Sequence, residues 1–169
     1  MDGGRSGWGA ARGHRLAETT IFMGRQEYDL APGGAGLRDS REVRRLVFVE
    51  EQGIPEALVF DGRDDDALQL TVREGGQVVA TARVRFVGDG QAKVERMAVL
   101  RQFRRMGTGR GMVSFLSSEL AGRQVRELVL HAQRDAVEFY RSCGFEEQGL
   151  PFAEAGIEHV RMGKKILLR

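Results

Sequence analysis

Apolar side chains recur at every second residue through Val78, Ala80, Ala82, Val84 and Phe86, with Thr81, Arg83 and Arg85 between them. A period of two predicts a half-buried strand. Gly88-Asp89-Gly90 makes a hairpin turn. The return strand, roughly 92 to 100, carries Val94, Met97 and Val99, a step of three and then of two. One extra residue there predicts a bulge near Glu95 and Arg96. The period then lengthens: Met112, Phe115, Leu116 and Leu120 fall at helical spacing and Gly122 supplies a stop. A strand follows over Glu127 to His131. Asp135 is placed to cap a further helix whose Ala136, Phe139, Tyr140 and Cys143 share one face, closed by Gly144. Near the start, Asp39 and Glu42 have capping-box spacing ahead of Val43, Leu46 and Val47, a helix ending near Gly53. Short strands around Phe145 and over His159 to Lys165 complete the order. The fold class is α/β (α+β), a mixed and mostly antiparallel sheet flanked by helices.

Residues 1–20 hold five glycines and three arginines, with only Trp8 and Leu16 offering much to bury. They predict a flexible arm before one domain over 21–169. A second loose stretch, Ala31 to Gly36, predicts a turn or loop. The length of 169 residues and a composition of 41% hydrophobic and 30% charged suit a single globular core. Basic residues number 26 against 24 acidic, a net of +2, which gives no case for a nucleic-acid partner. Cys143 is the single cysteine, so neither an internal disulfide nor a thiolate metal site is expected, and a reducing cytoplasm fits. No apolar run approaches a membrane span. From Glu50 to Asp66 seven acidic residues face one arginine, Arg63, which predicts a negatively charged surface loop.

The strand-to-helix junction Arg104-Arg105-Met106-Gly107-Thr108-Gly109-Arg110-Gly111 has the chemistry of a pyrophosphate cradle. Glycines admit a ligand to the backbone amides, and the helix N-terminus and the arginines supply positive charge. It is not a dinucleotide fingerprint, because the third glycine would fall at Met112, and no Gly-Lys-Ser/Thr follows to make a Walker loop. A glycine-rich helix start with solvated arginines is the plainer alternative.

Here the sequence resembles a known family. Arg/Gln-x-x-Gly-x-Gly/Ala between a bulged strand and a helix is the coenzyme A signature of the GNAT N-acetyltransferases, and Arg104 to Gly109 match it. Further on, Gln133, Ala136, Phe139, Tyr140, Gly144 and Phe145 resemble the family's Asn-x-x-Ala-x-x-aromatic-Tyr-x-x-x-Gly-Phe, departing only at Gln133. Val47 to Gln52, His131-Ala132-Gln133 and Gly156 to His159 resemble a bacterial subgroup of the family. The likeness runs from about Ile21 to Lys165 and implies a GNAT domain whose sheet splays at the bulged strand.

The resemblance implies acetyl-CoA as cosubstrate, without a metal, and a small-molecule or peptide amine as acceptor that attacks the thioester directly. A homodimer is compatible with it. The pantetheine arm would run along Met97, Ala98 and Val99, with Arg104, Arg105, Met106, Gly107, Thr108, Gly109 and Arg110 at the pyrophosphate and Gln133 and Phe139 nearby. Tyr140 is the expected general acid, since a phenol is protonated at neutral pH and can donate to a thiolate. Otherwise it is a core tyrosine. Glu95 is the expected base, on the premise that a half-buried sheet raises its pKa; an ion pair with Lys93 or Arg96 is the competing reading. His131 and His159 are alternative bases or acceptor contacts, and Arg96 would either orient an acceptor carboxylate or pair with Glu95. The acidic run would attract a cationic amine or merely keep the loop solvated. Acyl-homoserine lactone synthases offer a second resemblance, through Arg44, Phe48, Asp61 and Asp64 to Asp66, but their tryptophan after the phenylalanine is missing. A non-catalytic acyl-CoA sensor is the remaining alternative.

Overall fold

The computed structural model describes residues 17–33 and 36–168. In chain order the strands are β1 (Thr19–Met23), β2 (Gln26–Pro32), β3 (Leu68–Glu74), β4 (Gln77–Gly88), β5 (Gln91–Val99), β6 (Glu127–Gln133), β7 (Glu146–Glu147), β8 (Phe152–Glu154) and β9 (Ile157–Lys165). They form one sheet in the order β1-β2-β3-β4-β5-β6-β9-β7, with β8 added on β9. Every pairing is antiparallel except β5 with β6. The helices are α1 (Leu37–Arg44), α2 (Glu56–Val59), α3 (Thr108–Ala121) and α4 (Val137–Ser142).

The two faces of the sheet are built differently. Leu68, Leu70, Val72, Ala82 and Val84 form one core with Met112, Phe115, Leu116 and Leu120 of α3, as the helical spacing of that segment requires. The opposite face lies beneath α1, where a smaller apolar cluster of Val43, Val47, Val78, Ala98 and Leu100 adjoins a buried polar patch of Gln69, Thr71, Thr81 and Arg83 with Ser40 and Arg44. So β4 is not half-buried as its alternation predicts. Arg83 is only 1% exposed because α1 and the loop after α2 cover it and supply carboxylates.

Other local expectations meet mixed outcomes. The bulge is present, since Arg83 pairs with Glu95 while Thr81, two residues back, pairs with Ala98, three residues on. Arg96 sits in the left-handed region at φ 53 to make it. Gly144, at φ 90, ends α4 in a Schellman motif: its amide donates to the Arg141 carbonyl and the Phe145 amide to that of Tyr140. By contrast α1 has no capping box. Its N-cap is Gly36, without a side-chain cap, and Asp39 lies in the first turn, bonded to Arg73. Past Arg44 the helix widens into a π-helical turn over Arg45–Glu51. Asp135 likewise caps nothing, because a 3₁₀ turn over Arg134–Ala136 precedes α4. Ala31 and Pro32 end β2 instead of lying in a loop. The arm expected over 1–20 falls outside the described residues except at its end, where Thr19 and Thr20 already pair with Leu30 and Asp29.

Candidate active site

β5 and β6 run parallel only from Gln91–Glu127 to Lys93–Val129. Beyond that register they diverge, β5 staying paired only with β4 and β6 only with β9 toward their C-terminal ends. A parallel pair can part here because its bulged strand bends away while the other strand stays paired to β9 as far as Gln133–His159. The gap is a cleft of about 580 Å³. Met97, Ala98 and Val99 line it from β5, Leu130 and Gln133 from β6, Phe139 and Tyr140 from α4. Such crevices beyond the carboxyl ends of parallel strands are where α/β sheets bind ligands.

One end of the cleft meets the start of α3. Gly107 caps the helix at φ 87 with no side-chain bond, and Arg105 just before it is also left-handed, at φ 59. The first-turn amides of an α-helix have no partner within the helix, so this end offers bare donors to an anion. The side chains around it behave less uniformly than the motif implies. Arg104 is a brace: Nε donates to the Val99 carbonyl at 2.9 Å, and the two terminal nitrogens grip Glu51 at 2.6 and 2.9 Å. Arg110 is bonded to Ser142, and Thr108 is buried with its hydroxyl between Gln26 and Phe103. Arg105 and Arg110, both exposed and without a carboxylate partner among the described residues, leave their charge to the solvent side of the loop. Met106 is exposed. The loop therefore fits a pyrophosphate through its backbone, with the Thr108 hydroxyl already engaged elsewhere.

Gly109 is needed for packing: a β-carbon there would lie 3.0 Å from Cζ of Phe139. That ring stands edge-on to Tyr140, with centroids 5.0 Å apart, and Tyr140 stands edge-on to Phe145 at 5.6 Å. Burial pushes the Tyr140 phenol well above its ordinary value, so it holds its proton throughout the neutral range.

The other half of the cleft is walled by Phe48, Gln52, Ile54, Leu58 and Val59, from the widened end of α1 and from α2. Phe48 and Gln52 lie in the segment that resembles the bacterial subgroup, whereas Ile54, Leu58 and Val59 carried no signal, because helix α2 is a single turn. Gln133 does reach the cleft, where its side chain donates to Gln52 at 2.8 Å and ties the two walls together.

Glu95 does not have the environment expected of a base. Arg83 and Arg85 each approach it to 2.9 Å and Lys93 to 3.3 Å. Burial alone would raise its pKa, but the three cations together bring it down to about 2. A carboxylate that holds protons so poorly is a structural anion. Arg96 is also occupied: its guanidinium donates to the carbonyls of Val59 and Leu58 and lies 3.4 Å from Asp61, stapling the bulge to α2. It orients no acceptor carboxylate in this arrangement. The acidic run is largely neutralised as well. Asp61 binds Arg83 in two bonds, Asp64 is buried against Arg44 at 2.7 Å, and Glu51 holds Arg104. Arg44, Asp61 and Asp64, which echo the lactone synthases, thus form an internal network.

Opposite Glu95, His131 of β6 and His159 of β9 converge on Glu154 of β8, around the ring of Phe152. His131 Nδ1 is 3.3 Å from Glu154 Oε1, and burial with the nearby Lys93 lowers its pKa. Glu154 carried no signal in the sequence.

This combination of a splayed, bulged parallel pair with an uncapped glycine helix start is that of an acyl-CoA-dependent acyltransferase. The GNAT acetyltransferase domain model matches residues 26–166. The chain is 36% identical to the uncharacterised protein YyaT of Bacillus subtilis over 135 residues, 78% of this chain and 90% of that one. It is 33% identical to the uncharacterised N-acetyltransferase YjcF of the same organism, over 76% and 91% of the two chains. The fold is shared with Escherichia coli ElaA at a TM-score of 0.71 and 24% identity, over 82% and 99%. A GNAT acetyltransferase of Elizabethkingia anophelis solved with acetyl-CoA bound aligns at a TM-score of 0.66 and 10% identity, over 85% and 100%. The chain belongs to the GNAT acetyltransferase family and is an acyltransferase enzyme, of a family that uses acetyl-CoA. Among the described residues no helix is long and apolar enough to cross a membrane.

Proposed function

We propose that the protein transfers the acetyl group of acetyl-CoA to an amine by direct attack on the thioester. The observation that carries this reading is the parting of β5 from β6 beyond Lys93–Val129, with the bare amides of α3 at one end of the gap and Tyr140 within it. Coenzyme A would lay its pyrophosphate on the amides around Arg105 to Gly109. Its pantetheine arm would follow Met97 to Val99, where the β5 edge facing β6 lacks a strand partner. A backbone N–H of that segment would receive the charge that develops on the thioester oxygen. The Arg104 brace on the Val99 carbonyl fixes the segment in advance. Tyr140, kept protonated by burial, would give its proton to the leaving thiolate.

Acceptors would enter past Phe48, Ile54 and Leu58. The test is mass-resolved acetylation of a panel of alkylamines, polyamines, amino acids and peptides, with release of free coenzyme A followed in parallel. Acetylated amine in step with thiol release supports the reading. Tight acetyl-CoA binding without turnover of any amine would make the protein a sensor instead.

A further inference from the structure

His159 is 7% exposed, and its Nδ1 lies 2.8 Å from the Ile157 carbonyl. A carbonyl only accepts, so Nδ1 carries a ring proton and Nε2 is the ring atom left to accept one. The nearest charged atom is Glu154 Oε2, 3.7 Å away. At that separation the two atoms do not bond each other. The other carboxylate oxygen, Oε1, is held by His131 Nδ1. Two fixed acceptors at that spacing lack a donor, and a single nitrogen bearing several N–H groups can reach both at ordinary hydrogen-bond length. The three side chains are not arranged to hold a metal ion.

Most charges around the pair already have partners, and among the described residues there Arg161, held by the neutral Gln148, is the cation left without a counter-charge. On the facing strands, Lys93 of β5 is paired with Glu95, Arg161 of β9 with Gln148, and Glu158 of β9 with Arg134. Gln133 of β6 is neutral and bonded to Gln52. Among the described residues lining the cleft, Asp135 and Glu154 are the carboxylates that no lysine or arginine compensates. Phe152, 4.8 Å from the His131 ring and stacked at 6.1 Å on His159, packs against both imidazoles and fixes their orientation.

We infer that Glu154 Oε2 and His159 Nε2 together seat the protonated nitrogen of a primary amine, and that His159 removes its proton before attack. The inference rests on the transferase reading above and names its acceptor class. Glu154 binds the cation, His159 is the base, and His131 is a positioning residue that fixes Glu154. The ammonium gives one proton to His159 Nε2. The freed nitrogen bonds to the thioester carbon and the carbon–sulfur bond breaks. Sulfur takes the Tyr140 proton, the second nitrogen proton returns to the phenolate through solvent, and His159 releases its proton to bulk water. Nothing else is consumed.

The test combines nitrogen NMR of the parent's histidine rings with the kinetics of His159→Asn and Glu154→Gln. Asparagine keeps a donor where Nδ1 meets the Ile157 carbonyl and removes Nε2. Added 1,4-diaminobutane should move the His159 Nε2 resonance of the coenzyme-A-bound parent, and far less in Glu154→Gln. For an amine that the parent acetylates, His159→Asn should lose about a hundredfold in kcat/KM. Its pH profile should change form too: with the proton-accepting ring gone, the rate of His159→Asn should follow the amine's own deprotonation, about pH 10, and differ from the parent's. Glu154→Gln should raise KM about tenfold with a smaller change in kcat. An Nε2 resonance indifferent to the amine, or both variants transferring acetyl with the parent's rates and pH profile, overturns the seat and leaves the transferase reading intact. An Nε2 response in a protein that acetylates nothing supports the seat and overturns the transferase reading.

Discussion

The edge of the Phe139 ring rests on Gly109, so close that a β-carbon at 109 would sit 3.0 Å from Cζ. This contact joins the first turn of α3, where a pyrophosphate would lie, to the aromatic stack that holds Tyr140. The proposed cofactor loop and the proposed proton donor share one packing interaction.

Gly109→Ala therefore should weaken acetyl-CoA binding and slow turnover together, because Phe139 must give way and Tyr140 moves with it. Phe139→Leu in the same chain removes the ring edge and should recover part of both losses. Calorimetry and steady-state rates on the two single variants and the double variant would register the coupling, expected at 0.5 kcal/mol or more for residues in direct contact, about the lower bound for such pairs. Strictly additive losses would mean that the two sites act independently.

Tyr140→Phe keeps the ring between Phe139 and Phe145 and deletes only the hydroxyl. Acetyl-CoA affinity should stay within about twofold while kcat falls about a hundredfold, the scale of a positioned acid. Since burial holds the phenol above its ordinary range, the parent's kcat should show no descending limb from this group below about pH 10. Unchanged kcat at saturating acetyl-CoA would remove Tyr140 from the chemistry.

What could be seen in the sequence was local. The bulge announced itself as a broken period between Val94 and Met97, and Gly144 as a glycine one position past a helix. The short N-terminal hairpin was missed because the polar Gln26, Glu27 and Asp29 interrupt its few buried side chains, Tyr28 and Leu30. Roles that depend on distant partners were misjudged. Glu95 and Asp61 both end on Arg83, from positions 12 and 22 residues away, and no spacing rule connects them. Glu154 and its histidines meet through pairings of β6, β8 and β9 that only the folded sheet brings together.

Glu95 should make the fold acid-sensitive. Its pKa is depressed to about 2, so the stabilisation is complete above its ordinary unfolded value, near 4.5, and disappears as pH falls from there to about 2. Asp61, also depressed by Arg83, titrates in the same direction. Urea unfolding followed from pH 7 to pH 2.5 should show Glu95→Gln less stable at neutrality but with a shallower decline on acidification. Its acetyl transfer should keep the parent's pH profile, since the group is no base. A profile that lost its ascending limb would restore Glu95 to the mechanism.

The three consecutive aspartates should divide sharply. Asp64 is buried, bonded to Arg44 at 2.7 Å and 3.4 Å from Arg83, whereas Asp65 and Asp66 are exposed. Asp64→Asn would leave the fully buried Arg44 without its main counter-charge, and the loss of one partner of a buried pair costs about 3 kcal/mol. Asp65→Asn and Asp66→Asn should each stay within about 0.5 kcal/mol of the parent, as exposed substitutions do. If the acidic run gathers cationic amines from solution, the last two should also raise the acceptor KM at low salt, an effect screened over about 8 Å at physiological ionic strength. The internal pairing of Asp61 and Asp64 leaves little field for that, so the acceptor KM should be unchanged in both variants at any salt concentration. Chemical denaturation of the three single variants, with acceptor KM measured at low and physiological salt, separates the outcomes. A KM that rises in the Asp65 and Asp66 variants at low salt only would return the loop to substrate capture.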